Sequence, residues 1–181
     1  NVHASGRRYG WPLITLHWLM FVFMAVAYLV MEWRGFVPRG APLKTTLMHW
    51  HWAAGLALLA AWWLRVAARV IGAPPPPITP APPAWEMLAA RAMHLALYAL
   101  MLLLPVTGYL MVNAKGRVVE LAGFALPAVI AASEGLAETL EEIHEILGTA
   151  GYVLIGLHVL ASVWHHWVQK DDTLRRMLPA R

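Results

Sequence analysis

Histidine is the main chemical resource of this sequence: nine are present and Cys is absent. Without Cys there is no CxxCH attachment of haem c, no thiolate nucleophile, and no Cys-ligated zinc or iron–sulfur site. An imidazole can ligate a metal, hydrogen-bond across a packed interface or carry a proton near neutral pH. His17, His51, His144 and His158 all sit in or at the edge of long apolar stretches, where an ionisable side chain is expensive and is by default a functional candidate. His158 follows His144 by 14 residues; on a helix that spacing turns ~1400°, within ~40° of whole turns, and rises ~21 Å. Both rings then share one helix face at two depths.

The elements that carry them follow from composition. With 60% hydrophobic and 13% charged residues the chain favours a bilayer over water. Disorder is excluded by the scarcity of charge and the abundance of aromatics. A net charge of +4 is too small for the broad basic surface that nucleic acid binding needs, so no nucleic acid partner is expected. Charge-free intervals of 23, 20, 23 and 24 residues run over Tyr9–Met31, Thr45–Leu64, Ala92–Ala114 and Ile146–Gln169. About 20 residues span a hydrocarbon core, so each interval predicts one spanning helix.

The expected fold is an all-α integral membrane protein, a four-transmembrane-helix bundle forming a single domain over residues 1–181. With snorkelling charges allowed at the ends, the helices are expected near residues 10–33, 44–70, 87–113 and 138–169, with a tail over 170–181. Seven prolines between Pro74 and Pro83 make residues 71–86 an extended linker. Residues 114–137 connect helices 3 and 4, and the apolar run Leu121–Ser133, too short to span and interrupted by Pro127, reads as an interfacial or loop segment on the helix ends. Pro105 is a candidate kink in helix 3. Ala25-Val26-Ala27 imitates a signal cleavage site, but the apolar run is longer than a signal core and holds His17, so a spanning helix is preferred.

Lysine and arginine set the orientation. One face carries Arg7, Arg8, Arg65, Arg69, Arg91, Lys170, Arg175, Arg176 and Arg181, and the other Arg34, Arg39, Lys44, Lys115 and Arg117. Nine against five puts both termini in the cytoplasm. Trp11, Trp33, Trp85 and Trp167 fit interfacial belts at the span ends.

In that orientation His17 and His158 share a cytoplasmic-side depth, and His51 and His144 a periplasmic-side depth. Two facing imidazoles are a thin donor set for bare zinc or copper, whereas haem supplies four nitrogens and asks for two axial ligands. Gly148, Thr149, Ala150, Gly151 and Gly55 offer clearance for a porphyrin. Spacing alone leaves two readings open, a two-haem protein and ordinary interhelical hydrogen bonding by His. His49 is about 200° around the helix from His51, so only one of them can face a given partner. His94 reads as packed or hydrogen-bonded, His165 and His166 as a solvated exit with one of them a candidate proton relay, and His3 as terminal.

The ordered fragments His17-Trp18, Met31-Glu32-Trp33-Arg34-Gly35-Phe36, His51-Trp52-Ala53-Ala54-Gly55 with Arg65 and Arg69, and Tyr98 with Pro105 and Gly108 have a familiar sequence. His144-Glu145, Gly156-Leu157-His158, His165-His166 and Lys170-Asp171-Asp172-Thr173-Leu174-Arg175-Arg176-Met177 complete it. Over essentially its whole length the chain resembles the bacterial cytochrome b561 family, small di-haem quinone-linked membrane proteins related to the cytochrome b subunits of nickel–iron hydrogenases.

The resemblance implies two non-covalent haem b groups, one held by His17 and His158 and the other by His51 and His144, with His49 the competing choice for the second. It implies oxidation of periplasmic superoxide and reduction of ubiquinone in the bacterial inner membrane. By position, Thr15 and His165 are candidates to hydrogen-bond the quinone, while Arg34, Arg39, Lys44, Lys115 and Arg117 could draw superoxide electrostatically. Two other classes compete: an electron-transfer anchor for a dehydrogenase or hydrogenase redox partner, and a helical protein whose histidines only pack.

Overall fold

The computed structural model describes residues 8–74, 77–121 and 123–179. His3, Arg7, Arg181, Pro75 and Pro76 therefore lie outside the described residues. Four helices dominate: α1 (Trp11–Phe36), α2 (Pro42–Ile71), α3 (Ala84–Ala114) and α4 (Glu134–Trp164). Each is long and apolar enough to cross a bilayer. Large apolar side chains such as Leu29, Trp63, Leu95 and Leu160 are exposed along the bundle, an arrangement suited to hydrocarbon rather than water. The fold is an all-α membrane bundle.

Proline and glycine punctuate it. Pro12 and Pro42 occupy the first turns of α1 and α2, where a missing N–H costs nothing. The α3 C-terminus closes on Gly116, whose φ of +66° favours glycine. The Gly116 N–H donates to the Asn113 carbonyl and the Arg117 N–H to that of Val112, satisfying carbonyls the helix leaves open. Pro105 lies inside α3 without dividing it.

Several boundaries differ from the expected ones. Helix 4, expected from about residue 138, begins at Glu134, which places that carboxylate in the first turn, where it complements the helix dipole. The connection shortens to residues 115–133 and holds a small antiparallel hairpin, β1 (Glu120–Leu121) with β2 (Phe124–Ala125), that apolar content alone does not reveal. Nor does helix 4 stay α-helical to residue 169: it widens at His165 into a π-helical turn, His165–Gln169, ended by Lys170 at φ 56°.

Arg65 departs from its expected place among the face charges. It is buried inside the bundle at 7% exposure.

Both chain ends and the proline linker are knitted together at one end of the bundle, here the terminal end. The Tyr9 N–H donates to the Arg176 carbonyl, the Trp18 indole to the Met177 carbonyl, and the Thr79 N–H to the Asp172 carboxylate. At the opposite, far end, Asn113 accepts from the Val129 N–H and the Tyr109 hydroxyl donates to the Pro127 carbonyl, which fastens the connecting segment over α3. Midway between the ends sits the main core of Met20, Met24, Leu58, Ala61, Leu100 and Leu104.

Candidate functional site

The core separates two histidine levels. At the far level His51 of α2 faces His144 of α4, ring centroids 6.1 Å apart and planes at 82°. At the terminal level His17 of α1 faces His158 of α4, centroids 6.2 Å apart and planes at 71°. A metal–imidazole bond of about 2.0 Å on each side, plus ~1.1 Å from nitrogen to ring centre, puts two rings sharing one ion about 6.2 Å apart. Both levels have that spacing. His49 instead is exposed and lies against Trp52 at 5.4 Å, turned away from His144.

Hydrogen bonding fixes which nitrogens are free at the far level. The His51 Nδ1 lies 3.0 Å from the Ala27 carbonyl, which can only accept, so Nδ1 carries the hydrogen and Nε2 keeps its lone pair. The Thr107 hydroxyl donates to the Leu103 carbonyl at 2.7 Å and accepts from His144 Nδ1 at 3.2 Å, which gives His144 the same tautomer. Outer partners of this kind orient metal-bound histidines.

Space is provided as well. A cavity of about 390 Å³ is lined by His51, His144, Gly55, Gly108, Gly148 and Thr149 among others. A Cβ at Gly108 would stand 3.0 Å from His144 Cε1, so only glycine lets the ring lie this close to α3. Of the small residues expected to give clearance, Gly151 instead packs under Tyr28 and Leu100. Among the described residues no group of three or more His, Asp or Glu side chains could hold a bare metal ion. Paired imidazoles with fixed Nδ1 hydrogens and a glycine-lined cavity fit haem, which brings its own equatorial nitrogens.

The terminal level has surroundings that the spacing argument missed. His94 of α3 brings a third ring, its centroid 5.7 Å from that of His158. Arg65 is fixed nearby, its Nε donating to the Tyr98 hydroxyl at 3.0 Å and its Nη1 to the Leu13 carbonyl at 2.6 Å. His94 is legible as an ionisable residue inside an apolar stretch and Arg65 only as the charge that ends one; the depth of each depends on how α2 and α3 pack.

The candidate quinone residues lie on different elements, Thr15 on α1 and His165 at the start of the π-helical turn. Thr15 is exposed on α1, and among the described residues no hydrogen bond joins it to His165. His165 is instead held by Asp171, Nδ1 to Oδ2 2.6 Å. Burial alone would raise the Asp171 carboxyl, but bonds from the Thr173 N–H and the His165 ring outweigh that and hold it below its ordinary value. Tied at Nδ1, His165 keeps Nε2 for another partner.

The five far-end cations also differ from one another. Lys115 is answered by Glu141 at 2.7 Å. Arg34 and Lys44 donate to the Lys44 and Val37 carbonyls respectively, which leaves their charge intact, and Arg39 and Arg117 are exposed.

Comparison with known proteins agrees with this architecture. The profile of prokaryotic cytochrome b561 matches residues 8–180. The chain is 34% identical over 177 residues to cytochrome b561 homolog 1 of Escherichia coli K12, covering 96% of this chain and 98% of that protein. It is 33% identical over 175 residues to the probable superoxide oxidase CybB of Yersinia pestis, covering 97% and 98% of the two chains. A second Escherichia coli K12 protein, cytochrome b561 homolog 2, is 33% identical over 172 residues, with coverage of 94% and 91%. With four bilayer-length helices and a profile match over nearly its whole length, the chain belongs to the prokaryotic cytochrome b561 family of haem b-binding membrane electron-transfer proteins.

Proposed function

We propose that this protein carries electrons across the bacterial inner membrane from periplasmic superoxide to ubiquinone, with both termini in the cytoplasm. The observation that carries the reading is the repeated imidazole spacing, 6.1 Å at His51–His144 and 6.2 Å at His17–His158. Each pair would hold one haem b, which would supply a one-electron redox site; with both imidazoles engaged, the chain leaves electron transfer favoured over substrate binding at the metal. Overall, two superoxide ions are oxidised to two O₂ while one ubiquinone takes up two electrons and two protons. The name of the Yersinia pestis relative supports superoxide as the donor.

The chain's own residues have separable roles. Ala27 and Thr107 hold the far-level rings in the ligating tautomer. Arg34, Arg39 and Lys44 have no ion-pair partner among the described residues, so the α1–α2 turn offers the positive field that draws an anion, more than the paired Lys115 does, and Arg117 adds to it. At the terminal end Thr15 and His165 serve the quinone carbonyls; the Asp171 carboxylate orients the His165 ring and leaves its Nε2 edge for the quinone.

The test is stopped-flow mixing of superoxide with ubiquinone and purified protein. Quinone reduction well above the protein-free rate is expected; no acceleration would remove the activity. Haem assay should find two haem b per chain.

A further inference from the structure

Arg65 is a buried cation in the spanning region, 7% exposed, and among the described residues no carboxylate lies within ion-pair distance of it. Withdrawing a lone guanidinium from water is costly unless something nearby answers its charge. Its bonds go to neutral oxygens, the Tyr98 hydroxyl at 3.0 Å and the Leu13 carbonyl at 2.6 Å. They fix the head and leave the charge in place.

Both anchors lead to the same level. Leu13 sits one turn before His17 on α1, and Tyr98 one turn after His94 on α3. The His17 and His94 rings both lie against His158, at 6.2 and 5.7 Å. Through these bonds the guanidinium is tied within one helical turn of His17 on α1 and of His94 on α3. At the far level the corresponding cation is Arg34, only half-buried at the end of α1, where water screens it.

Both levels offer two imidazoles, so ligand type cannot distinguish their potentials, whereas local charge and burial can. A fixed positive charge in a low-dielectric setting stabilises the redox state with less positive charge, which is the reduced one. Resting on the two-haem reading above, we propose that Arg65 raises the midpoint potential of the haem at His17 and His158 above that of the haem at His51 and His144. Electrons then run downhill from the far level to the terminal level.

Potentiometric titration of the purified holoprotein, followed at the reduced α band, tests this. The native protein titrates as two components. Arg65→Gln lowers the higher one and leaves the lower in place, while Arg65→Lys, which keeps the charge, restores most of the shift. In a His51→Ala background the remaining haem still falls with Arg65→Gln; in a His17→Ala background it does not. The proposal is overturned if Arg65→Gln leaves the higher component unmoved or shifts both equally, or if Arg65→Lys behaves as Arg65→Gln does. Should Arg65→Gln fail to assemble, Tyr98→Phe releases one anchor: a smaller drop in the same component is expected, and no drop overturns the proposal. One haem per native chain would separately refute the two-haem reading, and the proposal with it.

Discussion

The far and terminal levels present nearly the same pair of rings in different settings. At the far level each ring is oriented by a neutral oxygen, the Ala27 carbonyl for His51 and the Thr107 hydroxyl for His144, and glycine makes room. At the terminal level a third ring and a buried guanidinium crowd the pair. The spacing needed to hold an ion between two imidazoles is thus reached by two routes, one relying on hydrogen-bond direction and small residues, the other on packing beside a fixed charge. Geometry common to both levels speaks to the cofactor. What differs between them speaks to the course of the electron.

The sharpest way to break the comparison is to remove one ring at a time. His144→Ala and His158→Ala should each halve the haem bound per chain, measured as the pyridine haemochrome, while His49→Ala should leave it unchanged. Loss of haem with His49→Ala but not His51→Ala would reverse the far-level assignment.

Gly108→Val comes next. Its added carbons meet the His144 ring, since a Cβ alone stands 3.0 Å from Cε1. The far haem should be lost in preference to the terminal one, visible as disappearance of one component in a redox titration.

A subtler change is Thr107→Val, which keeps the shape and removes the oxygen that accepts from His144. Loss of an outer-shell partner weakens metal binding by about 10–100-fold, so transfer of the far haem to an apo-globin acceptor should accelerate by a comparable factor. The terminal haem should not respond.

The smallest effect lies beyond both levels, where Asp171 ties the chain end to His165. Its carboxyl is held below its ordinary value of 3.8. The stabilisation is therefore present above that value and is lost as pH falls through the lowered one. Hydrogen-exchange protection over residues 165–177, taken relative to the intrinsic rate at each pH, should fall on acidification in the native protein, and Asp171→Asn should show much less pH dependence of that protection over the same window.

Much of this was legible in sequence because membrane spans and helical spacing are local properties. Charge-free intervals locate four helices, and the 14 residues from His144 to His158 place two rings on one face. Packing is not local. Arg65 reads as a face charge until α1 and α3 close around it with the Leu13 carbonyl and the Tyr98 hydroxyl. His94 reads as packed or hydrogen-bonded, but the sequence does not say against what; its neighbour His158 comes from α4. Snorkelling allowance carries the expected start of helix 4 only to about residue 138, one turn short of Glu134, where a carboxylate suits the first turn of a helix.

The band of Met20, Met24, Leu58, Ala61, Leu100 and Leu104 between the levels has an electrical consequence. Such a layer can be tunnelled through by an electron but offers an ion no foothold, so under the proposed two-haem function each transfer between the levels would displace net charge across the insulator. Turnover would then be sensitive to membrane voltage, by about 2.3 kcal/mol per 100 mV for a charge crossing the full dielectric and proportionately less for this portion of it.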